Sequence, residues 1–462
     1  MYEIDFNKPM HIHFIGIGGI SMSGLADVLL DRGFQISGSD MKPSELTDHL
    51  AARGADISFP QSADNIKEGI DLIVYTAAIH PDNPEFAAAQ AAGIPMLNRA
   101  DLLGQMMRNY QTSIAVAGTH GKTTTTSMAS HILLAADADP TISVGGILPS
   151  IGGNIRVGQS DVFVTEACEY TNSFLSLAPS IAIILNIDAD HLDFFKDLDD
   201  IRNSFRRFAA LVPAGGTVII NADTPAYEQV TDGLACQVLT YALEQDADFR
   251  AADIVFDDMG RASFDCVFRG DVIGRFALQV PGMHNVSNAL AAIAMAWTLD
   301  IPAGTAAEGL ASFCGTDRRF QFKGTVNGVD IIDDYAHHPT EIRATLETAG
   351  AGSHREVWCV FQPHTYTRTK ALMDEFADAL TLADHVVLAD IYAARETDNL
   401  GISSDTLRQA VLARGTDAWY FPSFDEIEAF LKEHCASGDL ILTVGAGDVY
   451  HIGEALLQER VE

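Results

Sequence analysis

The sequence predicts an α/β protein built on parallel sheets and divided into three domains. Three observations predict it. Short apolar runs of strand length alternate with helix-length segments along the chain, the pattern of parallel βαβ units. Two of those strands run straight into glycine turns that feed helices, at Gly16–Gly24 and Gly118–Thr124. The length, 462 residues, at about 150 per domain suggests three domains. The expected divisions are 1–108, 109–318 and 319–462.

Composition narrows the class. Hydrophobic residues make up 47% of the chain, enough for well-packed cores. No uncharged apolar run reaches about 18 residues, so no membrane insertion is expected. The opening Met1-Tyr-Glu-Ile-Asp-Phe-Asn7 lacks the shape of a secretory leader. Cysteines 168, 236, 266, 314, 359 and 435 form no CxxC pair and read as reduced thiols of a cytoplasmic protein. A formal net charge of −34 argues against nucleic-acid or anionic-membrane partners. The same charge repels anionic ligands at long range, so their binding must come from local donors and bound cations.

In order along the chain, His11–Ile17 reads as an apolar strand entering the turn Gly16-Ile-Gly-Gly-Ile-Ser-Met-Ser-Gly24 and a helix ending near Gly33. A second strand, Phe34–Ser39, ends at Asp40, about 20 residues beyond the turn, the outline of a dinucleotide fingerprint. Gly16, Gly18 and Gly19 permit close backbone approach to a nucleotide or sugar diphosphate, although the spacing departs from G-x-G-x-x-G and also suits a plain tight turn. Strand Asp71–Thr76 leads into the loop Ala77-Ala-Ile-His80; strand Ile94–Leu97 and helix Ala100–Arg108 follow.

Strand Ser113–Ala117 then meets Gly118-Thr-His-Gly-Lys-Thr-Thr124 and a helix to about Ala136. This layout reads as a phosphate-binding loop, the alternative being an ordinary strand-to-helix turn with an exposed lysine: glycines let N–H groups converge, and the helix N-terminus adds positive partial charge. Lys122 can reach the β- and γ-phosphates, and the Thr123 hydroxyl can ligate Mg²⁺. Val116 occupies the position where the usual pattern has its first glycine. Val144–Gly146 and a polar loop at Gly152–Asn154 come next. Strand Asp161–Thr165 delivers Glu166, and strand Ile181–Ile187 delivers Asp188-Ala-Asp-His-Leu-Asp193. Ligands of parallel sheets sit beyond the carboxyl ends of strands, so Glu166 and His191 are candidate metal ligands alongside Lys122; the alternative is that Asp190 and His191 cap a helix. Residues 246–281 read as a small antiparallel excursion, and Pro281–Asn288 opens a helix running Ala289–Leu299. Asn285 and Asn288 are placed to bond an adenine edge or to cap that helix. In the last third, strands Asp330–Ile332 and Glu356–Phe361 end in Asp333-Asp-Tyr-Ala-His-His-Pro339 and Gln362-Pro-His-Thr-Tyr-Thr-Arg368, and strands His385–Asp390 and Leu440–Val444 follow. Two loops that between them carry His337, His338, His364 and Arg368 suggest a site, although any single histidine also reads as a polar loop residue.

An enzyme coupling ATP to the joining of two substrates accounts for these features. An ATP-driven switch leaves the first domain and the His/Arg loops unexplained, and an NAD-dependent dehydrogenase leaves Lys122 and Glu166 unexplained.

Taken together, Gly118–Thr124, Glu166, Asp190-His191, His284-Asn285, Arg318-Arg319 and Asp333–Pro339 resemble the Mur ligases of peptidoglycan synthesis along essentially the full length. Within that family His13–Gly19, Ser37–Asp40, Asp334–Glu341 and Phe361–His364 with Thr367-Arg368 are similar to the alanine-adding branch, with the murein-peptide ligases, which use a recycled tripeptide, as the alternative. The resemblance implies a Rossmann-like N-terminal domain for UDP-sugar, a central ATPase domain and a Rossmann-like C-terminal domain. It implies a bacterial cytoplasmic enzyme, monomer or homodimer, that joins L-alanine to UDP-N-acetylmuramate through an acyl phosphate, using ATP and two Mg²⁺ ions, with Mn²⁺ as a substitute. Gly118, Thr119, His120, Gly121, Lys122, Thr123, Thr124, Asn285, Asn288, Arg319 and Asp334 would meet ATP. Gly16, Gly18, Gly19, Ser21, Ser39, Asp40, Ala77 and His80 would meet the UDP-sugar. His337 and Arg368 would receive the amino acid, and Thr123, Glu166 and His191 would hold metal; Lys122, Glu166 and His191 carry the catalytic assignment. Three departures stand out. Cys168 and Tyr170 replace the acidic and small residues of many relatives. Asn203–Arg207 has no lysine where many other Mur ligases carry a carbamoylated one. Thr365 stands where some alanine-adding relatives have arginine.

Overall fold

The computed structural model describes residues 3–76, 78–192, 194–394 and 396–458. Among the described residues the fold is α/β with three sheets. Its contacts divide the chain into two compact units: one of residues 1–187, 202–240 and 291–302, the other of residues 188–201, 241–290 and 303–462.

In the first unit, a five-stranded parallel sheet runs in the order Asp56–Ser58, Gln35–Ser39, His11–Ile15, Leu72–Tyr75, Met96–Asn98. His11–Ile15 is the first strand in sequence yet lies third, with later strands on both sides. That reversal of strand order opens a crevice at its carboxyl end, the position where such sheets bind ligands. The helix Ile20–Asp31 leaves the same end, and Gly24 on it faces Ile155, where a Cβ would come within 2.0 Å. The second sheet of this unit repeats the device. Thr112–Ala117 lies between Ile181–Ile184 and Val162–Ala167, all parallel. Thr141–Leu148 continues the parallel order, and Gly153–Arg156 closes it as an antiparallel hairpin strand. The expected polar loop at Gly152–Asn154 and the segment Val144–Gly146 are therefore the turn and strands of this hairpin. Its glycines erased the alternation that would have marked strands.

In the second unit, Phe249–Phe256, Arg261–Phe268 and Asp271–Pro281 form the expected antiparallel excursion. The helix that follows begins at Met283, earlier than Ala289. The last sheet runs Gln321–Val326, Val329–Asp334, Leu440–Val444, Val357–Phe361, His385–Leu388, Asp417–Tyr420, antiparallel only in its first pair. Successive side chains of a strand face opposite ways. Val357, Cys359 and Phe361 accordingly enter one apolar core with Ile342 and Phe376, while Trp358 and Val360 enter another with Ile427 and Ile452. Helices thus cover both faces, and the polar residues left over gather at the strand ends.

Among the described residues no helix is long and apolar enough to cross a membrane.

Candidate active site

The phosphate loop forms as expected, between strand Thr112–Ala117 and helix Lys122–Ala135. Gly118 has φ +150° and Gly121 φ +82°, and a Cβ on Gly118 would meet Leu185 at 2.9 Å. Both conformation and space therefore demand glycine at 118. The loop is tied down by a residue that sequence reasoning missed. The Asn186 carbonyl accepts the Thr119 N–H at 3.2 Å, its side-chain oxygen accepts the His120 N–H at 2.8 Å, and its amide donates to the His120 carbonyl at 3.1 Å. No local pattern marks Asn186; only the pairing of its strand with the loop's strand does.

Lys122 Nζ donates to the Gly118 carbonyl (2.5 Å), the Thr119 carbonyl (3.1 Å) and the Glu169 carboxylate (3.0 Å). Burial works against its charge, but Glu169 beside it outweighs this and raises the lysine above its ordinary pKa. Glu169 is a second missed residue, itself buried.

Glu166 lies in strand Val162–Ala167 and accepts the Gly145 N–H. A Cβ on Gly145 would stand 2.7 Å from Glu166 Oε2, and one on Gly146 3.2 Å from Thr123 Cγ2. The two glycines thus keep open the space beside the Thr123 hydroxyl and the Glu166 carboxylate. An all-oxygen donor pair of this kind suits Mg²⁺. Among the described residues no three His, Cys, Asp or Glu side chains cluster as a metal cage.

The first glycine turn lines a cavity of about 740 Å³ together with Asp40, Gln61, His80 and Asn83. Asp40 Oδ2 accepts the Gly18 N–H at 2.8 Å, and a Cβ on Gly18 would meet the same oxygen at 2.8 Å. The Asp40 carboxylate therefore shapes the turn itself. Ser39 is fully buried and donates its hydroxyl to Glu85. Ala77 lies outside the described residues. A second cavity, of about 170 Å³, brings Ser21 from this turn's helix together with Glu166, Cys168, Ser143 and Arg99. Arg99 was not foreseen, and Cys168 is one of the noted departures.

In the second unit, Asp190 accepts Arg368 Nε at 3.2 Å and Nη2 at 3.0 Å, and the N–H of His191 at 2.7 Å. Burial opposes its charge, yet Arg368 and His191 hold the carboxyl down to about 2. His191 has φ +54°, and the His338 ring lies 3.3 Å from the Ala189 carbonyl. The next helix starts at Leu198, so neither Asp190 nor His191 caps it. Arg368 sits on the short helix Tyr366–Ala371, beside His364 at 3.4 Å. His337 Nδ1 lies 3.0 Å from the Tyr335 carbonyl, and its backbone N–H donates to Glu341 at 3.0 Å. Burial, reinforced by Arg368 and opposed by Glu341, pushes its imidazole down to about 4, so it is neutral near pH 7.

Asp334 ends strand Val329–Asp334 and accepts the N–H groups of Ala336 and Phe320, both at 2.7 Å. Burial raises its carboxyl to about 6, against the pull of Arg319. The Arg319 guanidinium lies 5.3 Å from the centre of the Tyr335 ring. Its neighbour Arg318 is a clasp instead, bonded to Asp333 at 3.0 Å and to the carbonyls of Gly445 and Gly447. Asn285 donates to the Pro281 carbonyl at 2.7 Å and accepts from Asn288 at 3.1 Å. Both lie within the helix from Met283, so Asn288 does not cap it.

Comparison with known proteins agrees along the whole chain. Residues 11–111, 116–296 and 318–447 match the models described as Mur ligase family catalytic domain, Mur ligase middle domain and Mur ligase glutamate ligase domain. The UDP-N-acetylmuramate–L-alanine ligase of Agathobacter rectalis is 61% identical over 459 residues, covering 99% of this chain and 100% of the relative. That of Lachnospira eligens is 58% identical over the same shares of the two chains. Among solved structures, the UDP-N-acetylmuramate-alanine ligase of Thermotoga maritima superposes with TM-score 0.79 at 30% identity, covering 97% of this chain and 99% of that one. A murein peptide ligase of Psychrobacter arcticus superposes with TM-score 0.70 at 26% identity, covering 97% of this chain and 98% of that one.

Proposed function

The chain belongs to the Mur ligase family, and from that premise we propose how its residues carry out the reaction. The activity is ATP-dependent amide formation between L-alanine and the carboxylate of UDP-N-acetylmuramate, a step of peptidoglycan precursor synthesis. The observation that carries the residue-level reading is the smaller cavity, where Ser21 of the first glycine turn and Glu166 beside the phosphate loop line one space. A carboxylate of the nucleotide sugar placed there lies next to the machinery that holds the γ-phosphate.

A muramate carboxylate oxygen attacks the γ-phosphorus, and ADP leaves. The alanine amine then attacks the acyl carbon, loses a proton, and the tetrahedral intermediate expels inorganic phosphate, which retains that oxygen. Lys122 and the loop N–H groups stabilise the transferring phosphoryl group by position and charge, which dominate such transfers. Thr123 and Glu166 would hold one Mg²⁺ and His191 a second, ions that when bound neutralise phosphate charge. Asn285, Asn288, Arg319 and Asp334 take adenine, phosphate and ribose. Arg368 binds the alanine carboxylate, and the neutral His337 accepts from its ammonium or takes the proton it sheds. The enzyme acts in the bacterial cytoplasm.

Phosphate release with substrates omitted one at a time tests this reading. Release should require UDP-N-acetylmuramate, ATP, a divalent cation and L-alanine together. Turnover with a recycled tripeptide but not with alanine would transfer the activity to the murein-peptide branch. Robust sugar-independent hydrolysis would contradict the ligase reading.

A further inference from the structure

Beneath the larger cavity lies a buried polar cluster that the reaction above does not use. Glu85 is fully buried on the first turn of helix Pro84–Ala91. Its Oε1 lies 2.6 Å from His13 Nε2, and its Oε2 accepts the Ser39 hydroxyl at 2.6 Å, the Ser62 N–H at 3.2 Å and the Asn65 amide at 3.4 Å. His13, also buried, reaches on through Nδ1 to the Ser37 hydroxyl at 2.8 Å. One carboxylate thus gathers partners from the first strand, the second strand and the loop that follows the third. An isolated buried carboxylate is costly, and this one persists because each oxygen is bonded.

The partners are the supports of the cavity wall. The Ser39 carbonyl accepts the N–H groups of both Gly16 and Ile17 at 2.9 Å, so it fixes the start of the glycine turn. Ser39 also directly precedes Asp40, which holds Gly18. Ser62 follows Gln61, a lining residue whose side-chain oxygen accepts from Asn83 at 2.7 Å, and Asn83 in turn caps the Glu85 helix through the N–H groups of Glu85 and Phe86. Glu85 itself does not line the cavity.

We propose that Glu85 is a positioning residue for nucleotide-sugar binding: through Ser39, Ser62 and His13 it fixes the glycine turn and the opposite wall at the spacing the UDP moiety requires. This rests on reading the larger cavity as the UDP-sugar site. The two parts of a bound nucleoside diphosphate, the base and the diphosphate, need walls set at one distance, and preorganised donors give more affinity than mobile ones. Glu85→Gln keeps an oxygen for Ser39 and Ser62 and turns an amide toward His13, whose imidazole can accept it. Glu85→Ala removes every tie.

The test is calorimetry with UDP-N-acetylmuramate and steady-state kinetics on the full-length enzyme. Glu85→Ala should weaken nucleotide-sugar binding at least tenfold and raise the KM for that substrate in step. The KM values for ATP and L-alanine should stay within about twofold, and Glu85→Gln should bind within about threefold of the parent. A merely structural residue would lower the melting temperature and the active fraction while leaving the sugar KM of the folded enzyme alone. Unchanged sugar KM in Glu85→Ala, or equal rises for all three substrates, overturns the proposal. If Glu85→Ala does not fold, Ser39→Ala replaces it. The Ser39 hydroxyl is buried against Glu85, so a loss of at least threefold in sugar affinity supports the proposal and parental affinity overturns it. Asp40→Ala separates the two claims: if it binds the sugar like the parent, the cavity reading itself fails, whereas a loss in Asp40→Ala without one in Glu85→Ala overturns only the role of Glu85.

Discussion

An ammonium group has three N–H donors, and those of Lys122 meet the Gly118 and Thr119 carbonyls and Glu169. Phosphate oxygens of ATP must take over at least one of these bonds. At an effective dielectric near 20, unit charges about 4 Å apart interact by roughly 4 kcal/mol. Metal and backbone donors remain after Lys122→Ala, so a loss of about 3 kcal/mol is expected, more than a hundredfold in rate. Ligation by that variant within tenfold of the parent would remove the loop from the mechanism; calorimetry should meanwhile show unaltered nucleotide-sugar binding. Arg368 presents a different geometry. One edge of its guanidinium faces Asp190 through Nε and Nη2, and Nη1 lies 3.4 Å from His364 Nδ1, a long contact that the carboxylate of the incoming amino acid would replace. Lysine cannot serve both partners at once. Arg368→Lys should raise the KM for L-alanine roughly tenfold to a hundredfold, the range for a lost charge-assisted bond of about 1.5–3 kcal/mol, with the KM for ATP nearly unchanged. An unaltered alanine KM would remove the assignment. At this scale the sequence singles out Lys122, Glu166 and Arg368 as candidates, because chemistry is written in residue type. It did not carry Glu169, Asn186 or Glu85, whose roles come from what stands across from them.

Among the elements, the hairpin of Thr141–Leu148 and Gly153–Arg156 shows how sequence signals fail. Strands were hidden there by glycines, and the structure gives the reason for Gly145 and Gly146: they pass close to Glu166 and Thr123. Gly145 does not need a left-handed backbone, so Gly145→Ala tests space alone. The new methyl would displace the Glu166 carboxylate, a crowding that costs about 1–3 kcal/mol. The Mg²⁺ concentration for half-maximal rate should rise about tenfold in a metal titration, with nucleotide-sugar affinity preserved; an unshifted titration would separate Glu166 from metal binding. The sequence pattern places the start of the helix from Met283 too late for a related reason. Asn285 and Asn288 look like capping residues because their side chains compete with helix bonds. Here Asn285 turns back to the Pro281 carbonyl and Asn288 to Asn285, which lets the helix run through both.

Over the whole molecule, the alternation of strand and helix and the two glycine turns were legible, because each is a local pattern. The grouping of residues 188–201 with the C-terminal sheet was not, since it depends on pairs such as Asp190 and Arg368. Stability should follow the buried groups of that unit. Burial holds His337 down to about 4 and lowers His364 as well. As pH falls below the ordinary histidine value of about 6.5 the unfolded chain takes up these protons first, so stability is lost between about 6.5 and 4. Asp334, raised to about 6, works in the opposite sense from about 6 downward. Asp333 is raised by burial too, but the imidazoles respond nearer pH 7 than the carboxyls, so the melting temperature should fall from pH 7 to pH 5.5, and a rise over that interval would contradict the assigned burial.

In the proposed reaction the sugar carboxylate is activated by phosphoryl transfer before alanine attacks. That order is tested most directly by ligation with UDP-N-acetylmuramate carrying ¹⁸O in both carboxylate oxygens, followed by mass spectrometry of the released phosphate. One ¹⁸O should appear in each inorganic phosphate released, one for every amide formed. Unlabelled phosphate accompanying amide formation would show that the carboxylate oxygen never bonded to phosphorus and would contradict the mechanism.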